Sequence, residues 1–177
     1  MGASLGRPTE HDLDVEFCGS TTVSRQDERY SVLVVEDNII NQKVLSSQLS
    51  KLGHSVGVAS NGVEALDYLR ASRHWRTLPA TEAEKANLPA VDLILMDVEM
   101  PVMDGLECVR KIRELEARGE IVSHIPIISV SANARDEQMR QALDCGMDDA
   151  ISKPFRIVDL VPKMHRLVNE KAPDFAH

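Results

Sequence analysis

The stretch Leu93-Ile94-Leu95-Met96-Asp97-Val98-Glu99-Met100-Pro101-Val102-Met103-Asp104-Gly105 decides how this chain is read. Four consecutive large apolar residues describe a strand buried on both faces, and the carboxylate that follows them must sit where the strand leaves the core. Asp97 is therefore expected at a strand tip. Pro101 blocks an immediate helix and Asp104-Gly105 supplies a turn, so a shaped loop follows the strand.

Toward the N-terminus the pattern repeats. Ser31-Val32-Leu33-Val34-Val35 is a β-branched run that ends at Glu36-Asp37, a second buried strand with acids at its tip. Asn38 is placed to cap a helix in which Ile40, Val44, Leu45, Leu49 and Leu52 recur on one face, and Gly53 stops it. His54 to Ala59 reads as a short second strand, and Ser60-Asn61-Gly62 turns the chain into a helix carrying Val63, Ala65, Leu66 and Leu69.

Toward the C-terminus, Leu106, Val109, Ile112 and Leu115 keep helical spacing to about Arg118, and Gly119 ends that helix. Ile125 to Val130 is a fourth strand that runs out at Ser131, and a helix from Arg135 to Cys145 follows. Ala150-Ile151-Ser152 is a fifth strand ending at Lys153-Pro154. Ile157, Leu160, Val161, Met164, Leu167 and Val168 trace a last helix. With Asp159 as its N-cap, Pro162 falls in the first turn; an earlier start predicts a bend.

Two segments stand outside this alternation. Residues 1–29 mix Gly, Ser, Thr, Arg and acids without sustained periodicity and are expected to be a disordered tail or linker. Residues 71–90 form an insertion with a capping-box pattern, Thr81-x-x-Glu84, that can start one short helix and is bracketed by Pro79 and Pro89. Trp75 is expected to anchor it by local packing. The domain proper is expected over 30–170, with 171–177 as a C-terminal tail.

Strict strand–helix alternation with short connections predicts an α/β fold: a doubly wound, five-stranded parallel sheet with helices on both faces. In such a sheet the carboxyl ends of all strands point one way and ligands bind there. Glu36, Asp37, Asp97, Ser131 and Lys153 should then converge, and the insertion before Val91 should lie at the opposite end.

The totals narrow the function. The chain has 177 residues, 43% of them hydrophobic, and a formal charge of -8. The size suits one domain, and the charge argues against nonspecific nucleic-acid binding, which draws on Lys and Arg to neutralise phosphates. No apolar run is long enough to cross a membrane. Cys18, Cys108 and Cys145 are an odd, scattered set that reads as reduced thiols in a cytoplasmic protein. The start has no secretory pattern, and Gly6 stands where a myristoylation signal wants Ser or Thr. The six histidines lack metal spacing and are expected on the surface; Met96, Met100 and Met103 are read as packing residues.

Three carboxylates held together repel one another unless a cation or a proton intervenes. With oxygen donors alone at the strand tips, a hard ion, Mg²⁺ or Mn²⁺, is favoured over zinc. A carboxylate, a divalent cation, a lysine and a hydroxyl suit the holding of a phosphoryl group, with Asp97 as nucleophile.

From Tyr30 to about Val168 the chain resembles the response-regulator receiver domains of two-component phosphorelay signalling. The resemblance is carried in order by Val34-Val35-Glu36-Asp37-Asn38, Met96 to Gly105, Ile127-Ile128-Ser129-Val130-Ser131-Ala132 and Ser152-Lys153-Pro154. The stretch Glu36-Asp37-Asn38-Ile39-Ile40-Asn41-Gln42 is similar to receivers fused to hybrid histidine kinases. The resemblance implies a flavodoxin-like (βα)5 fold with strand order 2-1-3-4-5. It implies that Asp97 accepts phosphate from a phosphohistidine, that Glu36 and Asp37 help bind Mg²⁺ and that Glu99 adds its backbone carbonyl. Ser131 is the implied switch hydroxyl, Lys153 pairs with the phosphoryl group, and the bond before Pro154 is cis. The implied partners are a histidine kinase or a histidine-phosphotransfer domain, met through the first helix, with no nucleic-acid or membrane contact. Asn133 and Glu99 flank the site.

One position departs from the family. Ala150 stands three residues before the lysine, where many receivers carry Tyr or Phe, so relay of the phosphoryl group fits better than output through that face. As a chain alone it is read as a phosphoacceptor rather than a kinase, because no ATP-binding module fits, and no output domain is expected after the last helix. Residues 1–29 would be the linker from a kinase. The alternatives are an aspartyl-phosphate-forming phosphatase, which Asp97-Val98-Glu99 distantly resembles, a flavodoxin-like cofactor binder, and a receiver-like scaffold that is never phosphorylated. The acids at the strand tips oppose a cofactor phosphate, and no Gly-rich loop follows the first strand.

Overall fold

The computed structural model describes residues 28–76, 81–132 and 136–170. Most of the expected linker, all of the C-terminal tail, and Cys18, Pro79, Asn133 and Arg135 lie outside these residues.

Five short strands, β1 (Ser31–Val35), β2 (Ser55–Ala59), β3 (Leu93–Asp97), β4 (Ile127–Ser131) and β5 (Asp149–Ser152), form one parallel sheet in the order β2-β1-β3-β4-β5. This is the flavodoxin-like order, and the doubly wound sheet is as expected. Among the described residues six helices connect or follow the strands: α1 (Ile39–Lys51), α2 (Gly62–Arg70), α3 (Glu82–Ala86), α4 (Gly105–Ala117), α5 (Asp136–Asp144) and α6 (Ile157–Glu170).

Period-two alternation along the central strands sends successive side chains to opposite cores. Leu33, Val35, Ile94, Met96 and Ile127 pack with Leu66 and Leu69 of α2, Val109 and Ile112 of α4 and Ala142 of α5. Val32, Val34, Leu93, Leu95, Ile128 and Val130 pack with Leu45 and Leu49 of α1 and Leu160, Met164 and Leu167 of α6. β3 is buried along its whole length, which is why its sequence shows no polar alternation.

Helix starts follow the caps read from sequence. Asn38, Asn61 and Asp104 accept backbone N–H groups at the heads of α1, α2 and α4, and Thr81 with Glu84 forms the complete capping box of α3. The insertion is anchored by Trp75, which pairs in an antiparallel bridge with Ile121 and packs against the α2–α4 core. Arg76 N donates to Glu120 O, and Val122 N to His74 O. These partners precede β4, so the insertion lies at the N-terminal end of the strands, away from the strand tips.

Of the two starts read for α6 the earlier one holds: it begins at Ile157, so Asp159 is inside the helix and Pro162 is its sixth residue. Two expectations are corrected. The apolar stripe expected to bury one side of α1 does so only in part: Leu45 and Leu49 are buried, whereas Ile40, Val44 and Leu52 are exposed. Gln42 takes an inward place because its amide has backbone carbonyls to meet. His54 is buried rather than on the surface, with its Nδ1 accepting from Tyr30 N at 3.1 Å and its ring stacked on Tyr30, centroids 5.4 Å apart.

Contacts also begin ahead of Tyr30. Glu28 accepts from the Tyr30 hydroxyl and from Asn169, and its carboxylate lies 3.0 Å from His165 Nδ1.

Candidate functional site

Parallel pairing without register gaps brings the strand tips level. Val35 is paired with Met96, Asp97 with Val130, and Ser131 with Ser152. The residues next along the chain therefore emerge on one rim: Glu36 and Asp37 beyond β1, Asp97 as the last residue of β3, Ser131 as the last of β4, and Lys153 just beyond β5. Lys153 N donates to Ser131 O at 2.7 Å, which fixes where the lysine leaves the sheet.

Glu36, Asp37 and Asp97 each offer a carboxylate oxygen, and these oxygens lie within 4.8 Å of one another. Glu36 and Asp97 are buried while Asp37 is exposed. Lys153 Nζ bridges the two buried acids, 2.6 Å from Glu36 Oε2 and 2.6 Å from Asp97 Oδ2. Burial lowers the tendency of Lys153 to hold its proton, but its bonds to Asp97 and Glu36 outweigh that and keep it charged beyond the usual lysine range. Burial pushes the Asp97 carboxyl above the ordinary aspartate range, against the pull of Lys153 and of the Glu99 backbone N–H.

The loop after β3 is the wall of the site. Glu99 N donates to Asp97 Oδ1 at 3.1 Å, so both Asp97 oxygens are held and aimed. Gly105 N returns to Val98 O; a Cβ on Gly105 would collide with the Asp97 carbonyl oxygen, which is why glycine must open α4. Met100 and Met103 are buried in the same core as α2 and α4, in keeping with their reading as packing residues. Val102, 82% exposed, takes a positive φ of 72°, a strained conformation for a β-branched residue that its sequence did not announce.

The sequence-read residues Glu36, Asp37, Asp97, Ser131 and Lys153 thus share one rim, and Glu99 borders it. Ser131 is buried there. The Lys153–Pro154 bond is cis, and Ala150 is buried in β5 opposite Ser129. Sequence reasoning missed two supports on α1. Asn41 Nδ2 donates to Glu36 Oε1 at 3.1 Å, and Gln42 Nε2 meets the carbonyls of Glu36 and Ala59. The signal was present in Glu36-Asp37-Asn38-Ile39-Ile40-Asn41-Gln42, but without a backbone it carries no direction.

The donor set consists of carboxylate oxygens, open on the Asp37 side, and fits a hard divalent cation better than a soft one. A charged lysine beside a held, buried carboxylate fits an incoming group of negative charge.

Comparison with known proteins is consistent with this geometry. The response regulator receiver domain family matches residues 32–165. Hybrid signal transduction histidine kinase I of Dictyostelium discoideum is 36% identical over 141 residues, 80% of this chain and 7% of that protein. Sensor histidine kinase RcsC of Salmonella typhimurium is 34% identical over 162 residues, 89% of this chain and 15% of that protein. The chain therefore spans a small part of these relatives. Among solved structures, the receiver domain of sensor histidine kinase PA1611 from Pseudomonas aeruginosa, with magnesium coordinated in its active-site cleft, is 30% identical. It aligns with a TM-score of 0.59 over 80% of this chain and 99% of that one. The receiver domain of the Saccharomyces cerevisiae response regulator Ssk1, crystallised with the histidine phosphotransfer protein Ypd1, is 28% identical. Its TM-score is 0.67, over 83% of this chain and 94% of that one.

Proposed function

Because this chain belongs to the response regulator receiver domain family, we propose that Asp97 accepts a phosphoryl group from a phosphohistidine in a phosphorelay, in a reaction that depends on Mg²⁺. The observation that carries the reading is the placement of Asp97: a buried carboxylate at a strand tip, within 4.8 Å of two further acids and 2.6 Å from a lysine. None of these side chains is unusual alone; together they form a phosphoryl-binding set.

In the transfer, an Asp97 carboxylate oxygen attacks phosphorus, and the phosphorus–nitrogen bond to the donor imidazole breaks with its electron pair left on nitrogen. The product is an acyl phosphate on Asp97 and a free histidine. Burial raises the Asp97 pKa, so the nucleophile is a poorly solvated carboxylate held at both oxygens. Lys153 then exchanges its bonds to Glu36 and Asp97 for the new phosphoryl oxygens, and Ser131 donates its hydroxyl to one of them. Glu36, Asp37, Asp97 and the Glu99 carbonyl would hold Mg²⁺, or Mn²⁺ in its place, and a cation bound there would supply positive charge to offset that of the phosphoryl group. Phosphorylation adds about -1.5 to -2 charge at the rim, enough to draw Ser131 and Lys153 inward.

The similarity to hybrid histidine kinases supports placing the chain as the receiver part of such a kinase in the cytoplasm, with the residues ahead of Glu28 as the linker. It supports a histidine-phosphotransfer domain or histidine kinase as partner. Among the described residues no helix is long and apolar enough to cross a membrane. Ile39, Ile40 and Val44 of α1 are exposed apolar residues beside the rim, and they suit the docking of such a partner.

Incubation with Mg²⁺ and a small acyl-phosphate donor, followed by intact-mass measurement, tests the reading. One phosphoryl adduct is expected on the wild type and none on Asp97→Asn. A wild type that stays unlabelled under conditions that label other receivers contradicts it, and steady hydrolysis of phosphoesters favours a phosphatase instead.

A further inference from the structure

The first turn of α1 grips Glu36 from the side opposite Lys153. Asn41 Nδ2 holds Oε1 at 3.1 Å while Lys153 Nζ holds Oε2 at 2.6 Å. The backbone of Glu36 is fixed as well: its N–H donates to Ala59 O at 3.0 Å. Gln42 Nε2 ties its carbonyl, at 3.3 Å, to that of Ala59, at 3.2 Å. Asn38 is spent on capping, with its Oδ1 accepting from Ile40 N and Asn41 N. Once Lys153 turns to a phosphoryl group, Oε2 loses its partner, and Asn41 is then the side chain that stops the carboxylate from rotating.

We propose that Asn41 is the positioning residue of the cation site, keeping the Glu36 carboxylate turned toward Asp37 and Asp97 by holding its outer oxygen. This rests on the reading of that acid cluster as a cation site. The residue type is specific. An amide donates a hydrogen bond without bringing charge, whereas a lysine here would neutralise Glu36 and compete with the ion, and an acid would repel it. Partners that orient a ligating carboxylate are worth about 10–100-fold in metal affinity when removed.

The test is Mg²⁺ titration of the full chain by calorimetry, with phosphorylation from a small donor measured against Mg²⁺ concentration. Asn41→Ala is expected to weaken Mg²⁺ binding about tenfold. The half-saturating Mg²⁺ concentration for phosphorylation should rise in step while the rate at saturation stays unchanged. Asn41→Gln, whose longer amide reaches the same oxygen, should restore most of the affinity, and Asn41→Lys should bind Mg²⁺ more weakly than Asn41→Ala. A small phosphodonor needs no protein surface, so a role of Asn41 in partner docking alone would leave these values unmoved. Asp37→Asn is the control. Unaltered Mg²⁺ affinity in the Asn41 variants alongside lost affinity in Asp37→Asn overturns the role of Asn41. Unaltered affinity in Asp37→Asn overturns the cation site itself.

Discussion

His54 stands one residue before β2 with its ring against Tyr30 and its Nδ1 accepting a backbone N–H. Burial pulls its pKa below the ordinary 6.5, and the nearby His165 adds to the effect. The unfolded chain takes up this proton near 6.5 while the folded chain resists it, so His54 contributes stability above that pH and the contribution is lost as pH falls below it. Urea unfolding of the wild type should therefore weaken between about pH 7 and pH 5. His54→Gln, which keeps an acceptor but does not titrate, should flatten that slope; an unchanged slope would contradict the assignment to His54. At this scale the sequence was most legible where a charge interrupts an apolar run. Asp97, Glu36 and Lys153 declared themselves in that way. His54 did not, because a lone histidine beside a strand looks the same whether it faces water or a tyrosine ring. Asn41 did not either, since its role exists only once the first turn of α1 brings it back over Glu36.

The strands and caps were the most legible elements, because buried parallel strands leave continuous apolar runs and asparagine or aspartate before a helix has few other uses. The α1 stripe was legible but misassigned. Periodicity reports that a helix has an apolar face; it does not say whether that face meets the core or a partner, and Ile40 and Val44 point away from the sheet. The insertion was legible at the far end because direction is common to all strands of a parallel sheet, and Trp75 stood out as its anchor because a lone tryptophan in an irregular stretch needs something to pack on. Trp75→Ala removes a half-buried aromatic that packs on the α2–α4 core, and should cost about 2 kcal/mol of stability, read from urea unfolding. Replacing α3 (Glu82–Ala86) by a flexible linker should leave the rate of phosphorylation from a small donor within about twofold, as surface loops tolerate such changes. A large loss of phosphorylation in a folded variant would contradict the separation of the two ends of the sheet.

For the whole molecule, the sheet order was available only through resemblance: alternation alone predicts parallel strands but leaves their sequence across the sheet open. What the assembled fold adds is a chemical rim and an exposed apolar helix side by side. If α1 receives the phosphotransfer partner, Ile40→Glu should slow transfer from a phosphorylated histidine-phosphotransfer protein by tenfold or more, a loss of about 1.4 kcal/mol or greater in the encounter. Phosphorylation of the same variant by a small donor should be unaffected. Equal loss with both donors would mean that the substitution damages the site rather than the docking surface. Ala150, small and buried in β5, leaves no inward-turning aromatic at that position, which is consistent with a domain that passes its phosphoryl group onward.

The central claim is that Asp97 is the residue that becomes covalently phosphorylated. Borohydride reduces an aspartyl phosphate to homoserine, so treatment of the phosphorylated chain followed by peptide mass mapping reads the position directly. The expected product is homoserine at position 97, formed only when Mg²⁺ and donor are both present. Homoserine at Asp37 or another carboxylate, or an acid-labile label on a histidine with position 97 unmodified, would contradict the account.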